Sequence, residues 1–292
     1  MSMKTQYPKV NIIVLNYNGK DCLKKCLASL FCLDYPNFEV VVVDNNSQDG
    51  SLEVARQNFS RATFIKNESN LGFSVGNNVG IKYSLEKMAD FVLLLNNDTE
   101  VEKEFLSRLM KDTLTHREVG IFSPLIFSGD GKGVWFSGGK IDWLRMKALN
   151  ERDLIENNNA NSDFISGCAM LVRAEVFSRI GLLDEDFFLY WEDVDFSVRA
   201  KEAGFSLLVV ASSCIRHFEK SEDTKKNKIY WLVLSGLLFF NKNTPRELRL
   251  WVFAYMLLRK IKNWRDVKKR GTEIDLAVKR AYTDFEKLKC EK

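Results

Sequence analysis

Four consecutive valines, Val40, Val41, Val42 and Val43, run straight into Asp44. An unbroken β-branched run of this kind suits a strand buried on both faces, and such strands belong to sheets covered by helices. Residues 10–15, 63–66 and 90–95 read as further strands, while residues 21–30, 52–58 and 74–87 carry apolar residues at helical spacing. The alternation predicts βαβ units: an α/β fold with a mixed, mostly parallel sheet and flanking helices.

Polar turn formers follow three of these strands: Asn16-Tyr17-Asn18-Gly19, Asn45-Asn46-Ser47-Gln48-Asp49-Gly50 and Asn96-Asn97-Asp98. One such loop is ordinary turn chemistry. Three at the carboxyl edge of one sheet point to a ligand site, because open α/β sheets bind ligands there.

Residues 120–161 read as irregular, and Asn157, Asn158, Asn159 and Asn161 suggest an exposed loop. Beyond it, residues 163–173 read as a strand, 174–180 as a short helix, 191–203 as an amphipathic helix stopped by Gly204, and 205–210 as another strand. Two short apolar helices, 229–240 and 250–258, flank the breaker Asn241-Lys242-Asn243-Thr244-Pro245.

Charge divides the chain of 292 residues. Residues 220–292 hold 19 Lys and Arg against 9 Asp and Glu, a net +10 that leaves −6 for residues 1–219, given +4 in total. The expected organisation is an α/β domain at 1–219 that holds the ligand edge and a basic helical segment at 220–292. Six cysteines lack the spacing of a disulfide staple or a four-ligand zinc site; Cys22 and Cys26 read as buried thiols, and a reducing cytoplasmic compartment follows. Residues 1–9 lack the apolar segment of a signal peptide, and the longest uncharged apolar run, 229–240, falls short of the roughly 20 residues a membrane-spanning helix needs. No Gly-x-Gly-x-x-Gly follows the first strand, which excludes a dinucleotide dehydrogenase. Trp231, Trp251 and Trp264 lie in apolar stretches, so burial is expected over base stacking and no nucleic-acid partner is expected.

Five segments taken together resemble one family: residues 10–19, Val41 through Ser47, Asn70-Leu71-Gly72-Phe73 with Gly76-Asn77-Asn78, Leu95 through Asp98, and Tyr190-Trp191-Glu192-Asp193-Val194-Asp195. Over roughly residues 10–220 the chain resembles the inverting glycosyltransferases of family 2, with the GT-A fold, and within them the bacterial rhamnosyltransferase type. The resemblance implies that Asp44 accepts the imide hydrogen of a pyrimidine base, although a turn or cap role before Ser51 is open to it as well. Asn16 and Tyr17 would offer an amide and an aromatic face to the base, with Asn46, Phe73, Asn77, Asn78 and Asn97 in the same donor site. Gly72 and Gly76 would let backbone approach the ribose and diphosphate at a helix start.

Asn96-Asn97-Asp98 stands where the family carries Asp-x-Asp, so Asp98 is the expected ligand for a divalent metal, Mg or Mn, with His217 as a further ligand. His116 reads as a surface residue. In the acidic cluster, Asp193 maps to the base that deprotonates the acceptor, with Trp191 and Glu192 beside it. Three acids in a first helical turn also stabilise any helix. Asp195 could bind acceptor or cap the helix, and Arg199 lies four residues on for an ion pair. The resemblance implies as partners a nucleoside-diphosphate sugar, with rhamnose as the sugar its rhamnosyltransferase members suggest, and a saccharide or lipid-linked acceptor in polysaccharide or glycolipid synthesis. The basic segment suits peripheral contact with an anionic membrane at the inner face of the cell membrane. Packing on the catalytic domain, or a homodimer interface, is its other use. A non-catalytic nucleotide-binding module of the same fold would keep Asp44 and Asp98 but has no need of Asp193.

Overall fold

The computed structural model describes residues 7–155, 158–219 and 225–290, so the expectations for residues 1–6 and for Asn157 lie outside it. Strands β1 (Val10–Asn16), β2 (Phe38–Asp44), β3 (Thr63–Lys66) and β4 (Phe91–Asn96) pair in parallel in the order β3-β2-β1-β4. Between them run α1 (Lys20–Leu30), α2 (Ser51–Asn58) and α3 (Gly72–Glu86). Val40, Val41, Val42 and Val43 are all buried, as a strand covered on both faces requires. Register places Asn16 beside Asp44 and Leu15 beside Asn96, so the three polar loops leave the sheet at one edge.

The second half of the sheet corrects the sequence reading. β5 (Thr99–Val101) and α4 (Phe105–Thr115) are followed by β6 (Val119–Ser128), which is largely buried, in the stretch expected to be irregular. Gly120, Ser123 and Pro124 disguise it locally, and apart from a short hairpin with the next strand its pairing is with strands far along the chain. It is followed by β7 (Val134–Phe136), the hairpin β8 (Gly138–Asp142) with β9 (Lys147–Glu151), and β10 (Ala160–Asn161). The strand expected at 163–173 is confined to β11 (Ala169–Arg173), antiparallel to β4; the residues before it turn through Gly167 toward the ligand edge. After α5 (Ala174–Ile180) and α6 (Glu192–Glu202), β12 (Ser206–His217) runs well past the expected end at 210. It bulges between Val210 and Cys214, next to the register position of Pro124, whose missing N–H removes a ladder bond, and then resumes pairing with β6 and β5.

The C-terminal segment is longer and more helical than its two apolar runs suggest. It forms α7 (Lys225–Asn243), a 3-10 turn at Arg246–Leu248, α8 (Arg249–Lys269) and α9 (Glu273–Cys290). α9 escapes a reading by hydropathy because its stripe of Ala277, Ala281, Tyr282 and Phe285 is spaced among charges, yet these side chains are buried. α7 is a joint between α9 and α6. One face packs Leu234 and Leu237 with Ala281, Tyr282 and Phe285 of α9, and the other sets Phe239 and Phe240 against Trp191, with ring centroids 5.0 and 5.1 Å apart.

Candidate active site

A chain of hydrogen bonds ties the three edge loops together. Asn97 Nδ2 donates to Asn16 Oδ1 at 2.8 Å, and Asn16 Nδ2 donates to Asp44 Oδ1 at 2.8 Å. Ser47 donates to the same carboxylate through its backbone N at 2.9 Å and its Oγ at 2.6 Å. Asn16 and Asp44 are fully buried, so their polar atoms need these partners. They form the floor under the ligand edge.

Above that floor opens a cleft of about 1410 Å³. Of the residues singled out in the sequence, Tyr17, Gly72, Phe73, Asn97, Asp98, Trp191, Glu192, Asp193 and His217 line it. Five side chains expected in the donor site do not reach its wall. Besides Asn16 and Asp44, Asn46 takes a left-handed φ of 61° and donates to Glu68 O at 2.9 Å, and Asn77 donates to Phe73 O at 3.0 Å within α3. Asn78 brackets Leu183, donating to its carbonyl at 2.9 Å and accepting from its N–H at 3.1 Å, which braces α3 to the loop before α6. Both glycines also meet other parts of the protein closely. Gly72 has φ 75° and a Cβ there would lie 2.4 Å from Phe188 O, while one at Gly76 would lie 2.7 Å from Leu15 Cδ1. Their bareness serves close packing inside the protein.

Sheet register brings Asp98 and His217 together. β5 begins one residue after Asp98, and its Thr99 pairs with His217 at the end of β12. Asp98 Oδ1 and His217 Nε2 are 3.1 Å apart, yet neither atom, nor His217 Nδ1, makes a hydrogen bond among the described residues. Buried polar atoms are rarely left this way. Two ligands at right angles on a divalent cation with bonds of about 2.1 Å would stand about 3 Å apart, so the pair fits such an ion. No group of three His, Cys, Asp or Glu suited to a metal occurs among the described residues, so further ligands would come from substrate or water. The Trp135 and His217 rings stand nearly perpendicular, with centroids 4.5 Å apart.

Opposite in chemistry stands the first turn of α6. Tyr190 and Trp191 both take left-handed φ values, 67° and 70°, a strained pair of non-glycine residues that turns the chain into the helix. Trp191 is held by its stacking on α7 and by its Nε1, which donates to Leu232 O at 3.1 Å. Asp193 Oδ2 accepts from Gly167 N at 2.8 Å and Oδ1 from Val194 N at 2.8 Å. Burial raises the Asp193 carboxyl above its ordinary value despite these bonds, and burial together with the Asp193 charge raises Glu192 well above its own. Glu192 Oε2 is buried with no hydrogen-bond partner among the described residues.

Asp195 has a different task. It is fully buried, accepting from Arg199 Nε at 2.7 Å and Asn243 Nδ2 at 2.9 Å, with Lys242 Nζ also at 2.9 Å. It therefore locks α6 to α7 and does not face an acceptor. His116, half-buried, bonds Asp112 O at 3.1 Å away from the cleft. Cys26 is buried, and burial pushes its thiol up to about 12, which fits an inert packing residue.

Several cleft residues escaped the sequence reading. Trp135 lies in the stretch taken as irregular, Phe188 precedes the acidic motif, and on α7 Lys228 stands just before the apolar run and Trp231 within it. Trp231 stacks on Phe188 at 4.4 Å, Lys228 Nζ lies 3.6 Å from Glu219, and Trp135 Nε1 donates to Glu219 at 3.4 Å. The local sequence carried no signal for any of them, since the tertiary packing of β7, α7 and the loop before α6 brings them to the cleft.

The sheet and its cleft place the chain among the α/β proteins that bind ligands at a sheet's carboxyl edge. Residues 11–181 match the family Glycosyl transferase family 2, and the chain belongs to that family. It is 30% identical over 217 residues to the low-salt glycan biosynthesis hexosyltransferase Agl10 of Haloferax volcanii, covering 70% of this chain and 65% of that protein. It is 25% identical over 231 residues to the N-acetylglucosaminyl-diphospho-decaprenol L-rhamnosyltransferase of Mycobacterium tuberculosis, covering 70% of this chain and 75% of that protein. Among solved structures, GalNAc-T7 with UDP, GalNAc and Mn2+ superposes with a TM-score of 0.65 at 17% identity, over 82% of this chain and 48% of that one. That likeness bears out the GT-A fold expected from the sequence.

Proposed function

We propose that the protein is an inverting glycosyltransferase, moving a sugar from a nucleoside-diphosphate donor to an acceptor hydroxyl. The observation that carries this reading is one cleft holding both the Asp98–His217 pair and the half-buried carboxylate of Asp193. Tyr17, half exposed at the rim, offers a face for the base, and the Asn16–Asp44–Ser47 cluster fixes the loops beneath it. Asp98 and His217 would hold Mg or Mn; bound there, the ion supplies positive charge against the departing diphosphate. Backbone bonds from Gly167 and Val194 hold the Asp193 carboxylate still, and it takes the proton of the acceptor hydroxyl as that oxygen attacks the anomeric carbon. Displacement is direct, through an oxocarbenium-like state, and needs no covalent enzyme intermediate.

The family relatives support rhamnose or another hexose as the sugar and a lipid-linked saccharide as the acceptor; a reaction at the inner face of the cell membrane is part of the same proposal. The test is a screen of nucleoside-diphosphate sugars with Mn for thermal stabilisation and for slow hydrolysis. A true donor at 100 times its dissociation constant stabilises by about 2.7 kcal/mol. Stabilisation with no turnover under any acceptor would favour the non-catalytic module instead.

A further inference from the structure

The fold leaves one apolar face uncovered. α8 meets the rest of the molecule through buried Val252 and half-buried Met256, while Leu250, Phe253, Leu257, Leu258, Ile261 and Trp264 are exposed. Leu250 is 87% exposed, Phe253 67% and Leu258 62%. Their spacing of three and four residues aligns them in one stripe along about four turns, facing outward where a surface helix normally turns polar.

The stripe is joined to the cleft. Trp251 Nε1 donates to Leu144 O at 2.9 Å, which ties the start of α8 to the turn of the β8–β9 hairpin, where Leu144 is itself exposed. The same hairpin sends Ala148 and Asn150 into the cleft lining. Charge follows the apolar face. Arg265 and Lys268 continue the stripe toward the end of α8 and Lys262 and Lys269 flank it, and none of the four forms an ion pair among the described residues.

We infer that this face, with the Leu144 turn, lies in the plane of an anionic membrane surface: apolar side chains enter the headgroup boundary and the cations meet lipid phosphates. Charge decides between a lipid surface and a second copy of the chain. Two copies joined here would bring together segments that each carry +10, whereas anionic lipid complements that charge. No helix among the described residues is long and apolar enough to cross a membrane, so the contact is superficial. Its consequence for the acceptor rests on the transferase reading: the hairpin would hold the cleft mouth near headgroups, where a lipid-linked saccharide stands.

The experiment is flotation of the full chain with vesicles of phosphatidylcholine, alone or mixed with phosphatidylglycerol, at low and high salt. The protein floats with the anionic vesicles and releases as salt rises, since screening shortens the attraction to about 10 Å at 0.1 M. The double variant Phe253→Ser, Leu257→Ser loses about tenfold or more in vesicle affinity while its melting temperature is kept, because both side chains are exposed. Lys268→Glu with Lys269→Glu weakens binding to anionic vesicles alone. Failure of the wild type to float at low salt overturns the inference, as does equal flotation of the apolar double variant. So does a wild-type dimer that ignores vesicles and that the same variant splits. Vesicle binding without sugar transfer leaves the surface in place and counts against the transferase reading only.

Discussion

Removing the Asp195 carboxylate tests whether the acidic motif is divided between chemistry and scaffold. Asp195→Ala strips three partners at once: Arg199, Asn243 and Lys242. Breaking a buried ion pair from one side costs about 3–5 kcal/mol, mostly through the charge left behind. Arg199 keeps the carbonyls of Ile180 and Leu182, and Lys242 keeps Asp184, so the loss should sit at the lower end, about 3 kcal/mol. For a chain of this size that corresponds to a melting temperature lower by roughly 6–12 °C. Thermal melts by circular dichroism supply the stability, and initial rates at 20 °C, with acceptor varied, supply the function. The expected outcome is a marked loss of stability with an acceptor KM near wild type for the folded fraction. A variant that melts within about 1 kcal/mol of wild type yet has a raised acceptor KM would refute the scaffold role.

Asp98→Ala should abolish the metal-linked part of nucleoside-diphosphate affinity, about tenfold or more, while leaving metal-free nucleotide binding intact; His217→Ala should act in the same direction, and calorimetry with and without Mn separates the two terms. Equal losses with and without metal would make either one a packing residue. For pH, the active base is the deprotonated form, so transfer should fall as pH drops through a limb above the ordinary aspartate value of about 4, because burial raises Asp193. The same raised carboxyls bind protons in the folded state that the unfolded chain has released, so their contribution to stability should decline as pH rises from the ordinary toward the raised values. Glu192→Gln should flatten that slope in pH-dependent denaturation, and an unchanged slope would speak against a buried, proton-holding Glu192.

Much of the parallel half was legible because each element announces itself locally. The valine strand Phe38–Asp44, the strand Thr63–Lys66 and the helix Ala174–Ile180 follow directly from residue type and spacing. β6 was not legible, because its Gly, Ser and Pro lower local propensity and its main partners, β11 and β12, lie far along the chain. The site divides in the same way. The polar loops marked the correct sheet edge, and the acidic motif marked α6, but no sequence pattern shows that Asp44 is sealed beneath the floor or that Asn78 braces Leu183. The 3.1 Å approach of His217 to Asp98 comes from the β5–β12 register, after a bulge that sequence does not reveal. The basic segment was read as one unit, whereas α7 packs on the site and α8 turns its apolar stripe outward.

The role of Asp193 is tested most directly by the substitution Asp193→Asn, measured as single-turnover transfer with saturating donor and Mn. The amide fills the same space and can still accept from Gly167 N, but it cannot take a proton. The expected result is a transfer rate lower by about 100-fold or more, with nucleoside-diphosphate affinity and melting temperature close to wild type. A variant that retains most of its transfer rate would contradict the assignment of Asp193 as the base.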